Sequence, residues 1–408
     1  THSDNTSIEK LFSFFTKQKG YTPIKTDGIT LALSNGRKCI TLEPGCQLEL
    51  SGAPYHSLHD MRNEVVEYYQ QLHEAQKEFD IRFAAIGMNP MYSVEEIPHL
   101  PKRRYKFMKK YFPLQGNHGQ DMMFRTATIQ SNFDFMSESD MAMKMKVANL
   151  LSPFINSMFA NSVYLNKHDT GYKYFRSHIW KNTDPDRCGF LRFVFNKTFG
   201  FEDYIQWLLD IPMIFVKIHD NYISTGSMTF RHFMDNGIDG NFPTLEHFVQ
   251  QVSLAFPEVR LKTYLELRGA DGGPPSHILA LSAVWKGMLY SPFHLEKAYQ
   301  LVEHLTFNDL TEISEQVSKH AIHAQHKKID FYKTLLALLE ISKTGLEHIA
   351  QKNHNNHDES IYLKPLFEIL ENKQTLADKT KIFMNDKNPL QQAFELFDFS
   401  EVKNNSLN

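Results

Sequence analysis

The sequence predicts an α+β protein with a mainly antiparallel sheet, and three observations predict it. Strand patterns and helical patterns are interspersed along the chain, a turn signal at Ser34-Asn35-Gly36 joins two strands as a hairpin, and everything after Pro292 is helical in pattern.

Taken in order, Ile8, Leu11, Phe12 and Phe15 recur at helical spacing and stop at Gly20, a suitable C-cap. The chain starts at Thr1 rather than methionine, and Thr1 to Ser7 run straight into this helix, as though the sequence were cut within something longer. Gly28 to Leu33 and Lys38 to Leu42 form the hairpin, and Gln47 to Ser51 extends it after the Pro44-Gly45 break. Leu58, Met61, Val65, Tyr68, Leu72 and Gln76 mark a helix from Ser57 to Phe79 with a serine N-cap. A strand is expected over Ile81 to Met88, a short basic helix over Arg103 to Tyr111, and a long strand over Met122 to Phe135. Helices follow at Glu138 to Phe159 and Phe201 to Leu209, separated by the irregular stretch Tyr164 to Phe195. A strand over Arg260 to Arg268 ends in a loop rich in glycine and proline, and the helical tail is broken only by the polar stretch Gln351 to Ser360. This divides the chain into residues 1–292 and a helical C-terminal region, 293–408.

Composition narrows the function. The 408 residues are 42% hydrophobic and 22% charged with a net charge of −3, enough for a sizeable core and without the basic footprint of a nucleic-acid or acidic-membrane binder. Cys39, Cys46 and Cys188 form no CxxC pair and no metal-type spacing, which suits a reduced compartment. No apolar run approaches the roughly 20 residues of a membrane span, and no basic-then-apolar leader opens the chain, so a cytoplasmic protein is expected.

Three expected strands carry apolar residues at one parity and ion-binding residues at the other. Thr126, Thr128, Gln130, Asn132 and Asp134 alternate with mostly apolar neighbours, as do Gln47, Glu49 and Ser51, and Tyr264, Glu266 and Arg268. One such strand would read as a half-exposed surface. Three together, almost without lysine, point to the floor of a nucleotide–metal site, because carboxylates and amides suit Mg²⁺ and arginine forks suit carboxylate or phosphate. No GxxxxGK[ST] or GxGxxG is present, which excludes a P-loop enzyme and leaves a nicotinamide fold unsupported. Arg176 and Trp180 lie in irregular chain and could clamp a carboxylate; a structural corner around a buried tryptophan would read the same way. His320, His323 and His326 fall at helical spacing, but Lys319, Lys327 and Lys328 beside them favour a solvated surface over a metal face.

Several elements in fixed order make the reading specific. Glu43-Pro44-Gly45-Cys46-Gln47-Leu48-Glu49-Leu50-Ser51-Gly52-Ala53-Pro54 resembles the EPGGQxELSGAP element of the plant and proteobacterial type of glutamate–cysteine ligase. Met122 to Thr126 with Gln130, Asn132 and Asp134, Phe175 to Trp180, Met228 to Arg231, and Glu258 through Pro274 resemble further elements of the family, the match running from about Thr41 to Tyr290.

The resemblance implies a glutamine-synthetase-like fold whose curved antiparallel sheet holds ATP, Mg²⁺ and glutamate. The implied reaction phosphorylates the glutamate γ-carboxylate and lets the cysteine amine attack the acyl phosphate, the first step of glutathione biosynthesis. By position it implies metal contacts from Glu43, Gln47, Glu49 and Glu266, substrate contacts from Arg176, Trp180, Thr126 and Thr128, and phosphate contacts from Arg268 and Arg125. L-glutamate, L-cysteine and ATP are the partners implied, with no nucleic acid or membrane, for a monomer or homodimer.

The sequence departs from the family at three points. Cys46 replaces a glycine, the plant enzymes' regulatory disulfide cysteines have no evident counterparts, and the family's opening G-x-E-x-E-K-F strand does not precede the first helix. A ligase using another amine acceptor, a guanidino kinase on a similar sheet, and a non-catalytic nucleotide-binding relative stand as alternatives.

Overall fold

The structure, a computed structural model, describes residues 8–26, 28–79 and 81–383. The expected helical run-in at Thr1 to Ser7, and the part of the C-terminal region beyond residue 383, lie outside the described residues.

Helix α1 (Ile8–Gln18) buries Leu11, Phe12, Phe14 and Phe15, the stripe that i, i+3, i+4 spacing creates. It packs beside an antiparallel meander of β1 (Thr22–Thr26), β2 (Ile29–Asn35), β3 (Lys38–Leu42) and β4 (Leu48–Ser51), paired in that order. The loop from β3 to β4 carries Gly45, where a side chain would collide with the Phe124 carbonyl, and Cys46, held at φ +64°. That left-handed backbone explains why the family places a glycine at the position Cys46 occupies. Helix α2 (Leu58–Phe79) lays Val65, Tyr68, Tyr69 and Leu72 into the same core. Its first turn is tied to the far end of the chain, since the Leu58 amide donates to the Glu359 carboxylate at 2.6 Å.

The chain continues through α3 (Arg103–Tyr111), α4 (Gly119–Arg125), β5 (Ser131–Phe133), α5 (Glu138–Ser157), the short strands β6 (Tyr164–Leu165) and β7 (His168–Asp169), then α6 (Phe175–Lys181), β8 (Cys188–Gly189) and α7 (Phe201–Asp210). A hairpin, β9 (Phe215–Ile218) and β10 (Asn221–Ser224), and helices α8 (Phe230–Asn236) and α9 (Leu245–Ser253) form a small layer around Phe230 and Phe233. After β11 (Phe256–Pro257) come β12 (Val259–Leu261) and β13 (Leu265–Leu267), which join β5 in a three-stranded antiparallel sheet ordered β12-β13-β5.

The described remainder, to residue 383, is helical: α10 (Pro275–Leu289), α11 (Pro292–Gln300), α12 (Phe307–His320), α13 (Phe331–Ile349), α14 (Lys364–Asn372) and α15 (Leu376–Phe383). Helix α10 is apolar nearly all round and is buried nearly all round, as such a pattern requires. It crosses α13 so closely that a side chain at Gly287 or Gly345 would meet the opposing backbone. These helices share one core with α5, β5 and β13.

The protein is therefore a mixed helix-and-strand fold with small sheets, antiparallel except for the parallel β8–β11 pair. Three expected elements change. Residues Gly119 to Arg125 are helical, closed by an Asp121–Arg125 pair one turn apart, so only the end of the expected strand Met122 to Phe135 is a strand. Residues 81–88 form no strand; Met88 makes a single antiparallel bridge to Thr126. The run Arg260 to Arg268 folds back on itself, Arg260 opposite Glu266, through a turn at Lys262 to Tyr264 where the Lys262 amide donates to the Tyr264 carbonyl. That turn contains no glycine, proline, asparagine or aspartate, the residues by which turns announce themselves.

Candidate active site

A cleft of about 1020 Å³ opens between β4, α2, the segment 126–134, α6 and α10. Along its walls run the polar alternates of all three strands: Gln47 and Glu49, then Thr126, Thr128, Gln130, Asn132 and Asp134, then Tyr264 and Arg268. Glu43, Arg176 and Trp180 line it as well. Residues of the other parity, among them Leu48, Leu50, Ala127, Ile129 and Phe133, border the cleft as well, so whole segments rather than one face of each converge there.

One wall is cationic. Helix α6 opens against the 269–270 loop, where the Arg176 guanidinium donates to the carbonyls of Gly269 at 2.8 Å and Arg268 at 3.1 Å. The Arg176 and Arg268 guanidinium carbons both lie 5.8 Å from the Trp180 ring centre, so two cations lie against the indole. Two buried donors on this helix, Arg176 Nε and Trp180 Nε1, have no hydrogen-bond partner. Buried donors seldom stay unpaired, and two of them on a cleft-lining helix suit a ligand that brings acceptor oxygens.

The other end is acidic. Burial, and after it the negative charge of Glu49, raise the Glu43 carboxyl above the usual range, against the pull of Arg104, Lys102 and Arg268. Burial and then the neighbouring Arg104 lower Lys102. Ser51 Oγ donates to Glu49 at 3.0 Å. A buried carboxyl that resists carrying charge beside a second carboxylate is a fitting place for a hard cation.

Five expected contacts make their polar interactions within the protein. Glu266 is buried off the cleft wall, its carboxylate shared by Arg260 Nε at 2.6 Å, Arg268 Nη1 at 2.6 Å and Lys262 Nζ at 3.0 Å. Burial would raise this carboxyl, but Arg268 and then Arg260 hold it far below the ordinary range. The hairpin turn causes this, since it sets Arg260 across from Glu266, and the carboxylate anchors the cationic wall. Gln47 spends its amide inside the protein: Oε1 accepts from the Gly45 amide at 2.9 Å and Nε2 donates to the Thr126 carbonyl at 3.0 Å, tying the β3–β4 loop to the end of α4. Arg125, in a helix rather than a strand, turns into a separate pocket of about 440 Å³ and bonds Asp121 at 3.0 Å and Asn166 at 2.8 Å. Thr126 and Thr128 line the cleft but give their hydroxyl protons to the carbonyls of Met122 at 2.7 Å and Ala270 at 2.6 Å.

The sequence reading passed over Lys102, Arg104 and Lys286. Lys286 lines the cleft from α10, paired with Glu359 at 2.6 Å. Its signal was available, as the one charged residue in an otherwise apolar helix. Among the described residues, no helix is long and apolar enough to cross a membrane.

Comparison with known proteins identifies the family. The family model for glutamate-cysteine ligase family 2 matches residues 12–394. A chloroplastic glutamate–cysteine ligase of Medicago truncatula is 39% identical over 352 residues, covering 86% of this chain and 68% of that protein. The corresponding protein of Nicotiana tabacum is 39% identical over 357 residues, covering 86% and 66%. Glutamate–cysteine ligase B of Oryza sativa subsp. japonica is 39% identical over 353 residues, covering 85% and 70%. The chain thus spans about two thirds of the length of these relatives. Their names overturn one expectation: all three are designated chloroplastic, so relatives point to a plastid setting rather than to the cytoplasm. A family model spanning nearly the whole chain, together with relatives at this identity, shows that the chain belongs to the glutamate-cysteine ligase family.

Proposed function

We propose that the chain catalyses ATP-dependent joining of the glutamate γ-carboxyl to the amino group of cysteine, giving γ-glutamylcysteine, ADP and phosphate. Membership of the family supports the reaction, and the observation that carries the site is one cleft with unpaired donors of Arg176 and Trp180 at one end and the Glu43–Glu49 pair at the other.

In this reading Arg176 and Trp180 hold the α-carboxylate of glutamate, supplying the two donors that lack partners within the protein. A γ-carboxylate oxygen attacks the terminal phosphorus of ATP and ADP leaves. The cysteine nitrogen then attacks the acyl carbon; its bond to carbon forms as the carbon–oxygen bond to phosphate breaks, and the amine proton passes to solvent. Arg268, anchored by Glu266, faces the charge that gathers on the transferring phosphoryl group. Glu43 and Glu49 would hold Mg²⁺, which neutralises phosphate charge when bound. Positioning of the substrates within the cleft supplies much of the rest.

The three-stranded sheet and the β1–β4 meander are read here as parts of a glutamine-synthetase-like curved sheet. Residues 1–292 carry the reacting groups and the region from 293 onward buttresses them.

The test is ADP release from Mg·ATP and glutamate with cysteine or other amines as acceptor. Cysteine-dependent release supports the reading, and release indifferent to the amine removes cysteine as acceptor. Glu49→Ala should lower turnover by about 10²–10³-fold with the fold retained by circular dichroism; an active variant would strip Glu49 of its metal role.

A further inference from the structure

Outside the cleft, one cluster among the described residues brings three metal-ligating side chains together: Asp309 and Glu312 on α12 and His326 from the segment that follows it. The three histidines His320, His323 and His326 do not share a helix face. Helix α12 stops at His320, and the chain turns so that His326 points back at the helix's first turns.

The His326 imidazole is 95% buried, with its side chain 5% exposed, yet its Nε2 makes no hydrogen bond. That nitrogen is aimed between two carboxylates, 3.4 Å from Glu312 Oε2 and 3.6 Å from Asp309 Oδ1. These separations are too long for good hydrogen bonds and too short for water to stand between them. They match another geometry. Two ligand atoms about 2.1 Å from a tetrahedral ion stand about 3.4 Å apart, whereas adjacent ligands of octahedral Mg²⁺ stand only about 3.0 Å apart.

Asp309 is already oriented for the task. Its Oδ2 accepts from the Thr306 amide at 2.9 Å, the Thr306 hydroxyl at 2.6 Å and Lys328 Nζ at 2.6 Å, which fixes the carboxylate and leaves Oδ1 toward His326. Such outer hydrogen bonds orient metal-binding carboxylates. His326 Nδ1 lies 3.5 Å from the Lys328 amide nitrogen, a contact at the limit of a hydrogen bond that a small ring rotation gives up.

We propose that Asp309, Glu312 and His326 form a second metal site, for a tetrahedral divalent ion of the Zn²⁺ class, with water in the fourth position. One nitrogen and two carboxylate oxygens select such an ion over Mg²⁺, whose cages are oxygen-only. The ion clamps the segment 321–330 onto α12. Helix α12 in turn braces α6, through the Tyr174 amide on the Ser318 carbonyl at 3.0 Å and the Lys181–Glu315 pair at 3.5 Å.

The experiment titrates Co²⁺, as a spectroscopic stand-in for Zn²⁺, into the full chain with excess Mg²⁺ occupying oxygen-only sites. The site predicts the intense visible absorption of tetrahedral Co²⁺, saturating at one equivalent and displaced by Zn²⁺, together with a rise in the thermal unfolding midpoint. His326→Gln should abolish both. Glu312→Gln, at an exposed side chain that threatens no fold, should weaken binding at least tenfold, and Glu49→Ala should leave the spectrum unchanged. An absent tetrahedral band, or a band that survives in both His326→Gln and Glu312→Gln, shows that His326 merely bridges two carboxylates as an ion pair and overturns the proposal. A band lost in Glu49→Ala assigns the ion to the cleft and overturns it equally. Each readout is independent of ligase activity.

Discussion

The two ends of the cleft manage charge in opposite ways. On the cationic wall the protein supplies a counterion of its own: the single Glu266 carboxylate is shared by Arg260, Arg268 and Lys262, which fixes their places and leaves the wall with excess positive charge. At the acidic end Glu43 and Glu49 push against each other, and the nearby cations only partly offset this. A satisfied network holds its geometry, whereas a strained pair gains most when a cation binds. The difference suggests that the arginine end positions and the carboxylate end waits.

Breaking the satisfied end should cost the most stability. Glu266→Gln leaves three cations crowded without a carboxylate and should destabilise the protein by about 3–5 kcal/mol in urea unfolding. The same logic sets the acid limb: because the folded carboxyl lies below its ordinary value, its contribution is complete above about pH 4 and is lost as pH falls further. If Glu266→Gln unfolds at the wild-type urea midpoint, the wall does not depend on its internal counterion.

Asp271, behind that wall, sharpens the contrast because it has no such set of partners. Its Oδ2 accepts from the Asn161 amide at 2.8 Å and the Ser162 hydroxyl at 2.6 Å, while Oδ1 is buried without a partner. Burial pushes the carboxyl up to about 7, against the pull of Arg176. Between about pH 4 and pH 7 the unfolded chain releases a proton that the folded chain keeps, so wild-type stability should fall as pH rises through that window. Asp271→Asn should flatten that slope, worth on the order of 2–3 kcal/mol across the window. Parallel pH profiles for the two proteins would remove the assignment.

The smallest effect belongs to the acidic end's own loop. Cys46→Gly relieves a left-handed backbone at the cost of some packing and should stabilise the protein by about 0.5 kcal/mol. A loss above about 1 kcal/mol would mean that the thiol's packing outweighs the strain.

These contrasts also mark what the sequence can convey. Helix α3 occupies the residues its pattern indicates, Arg103 to Tyr111, and the β2–β3 hairpin turns at Gly36 because that turn has recognisable chemistry. The polar alternates share the cleft, but so do the apolar residues between them, so alternation picked out the segments that border it rather than a single face. The hairpin at Lys262 to Tyr264 escaped for want of a turn residue, and with it the capture of Glu266 by Arg260. Arg125 and His326 were misread for a related reason: a helix taken for a strand, or continued past its end, sends each later side chain in the wrong direction. Partners far apart in the chain, such as Lys286 and Glu359, leave no local trace at all.

The bond from the Leu58 amide to Glu359 spans 301 residues and orders events in time. On the ribosome, at about 5–20 residues per second, the start of α2 would wait on the order of 15–60 s for its acceptor to be made. Glu359 also receives Lys286, which lines the cleft from α10, so two helices reach their final footing through a residue translated after both of them. The α2 and α10 sides of the cleft therefore gain their shared tether only once Glu359 has been made, and a chain released before that residue lacks it.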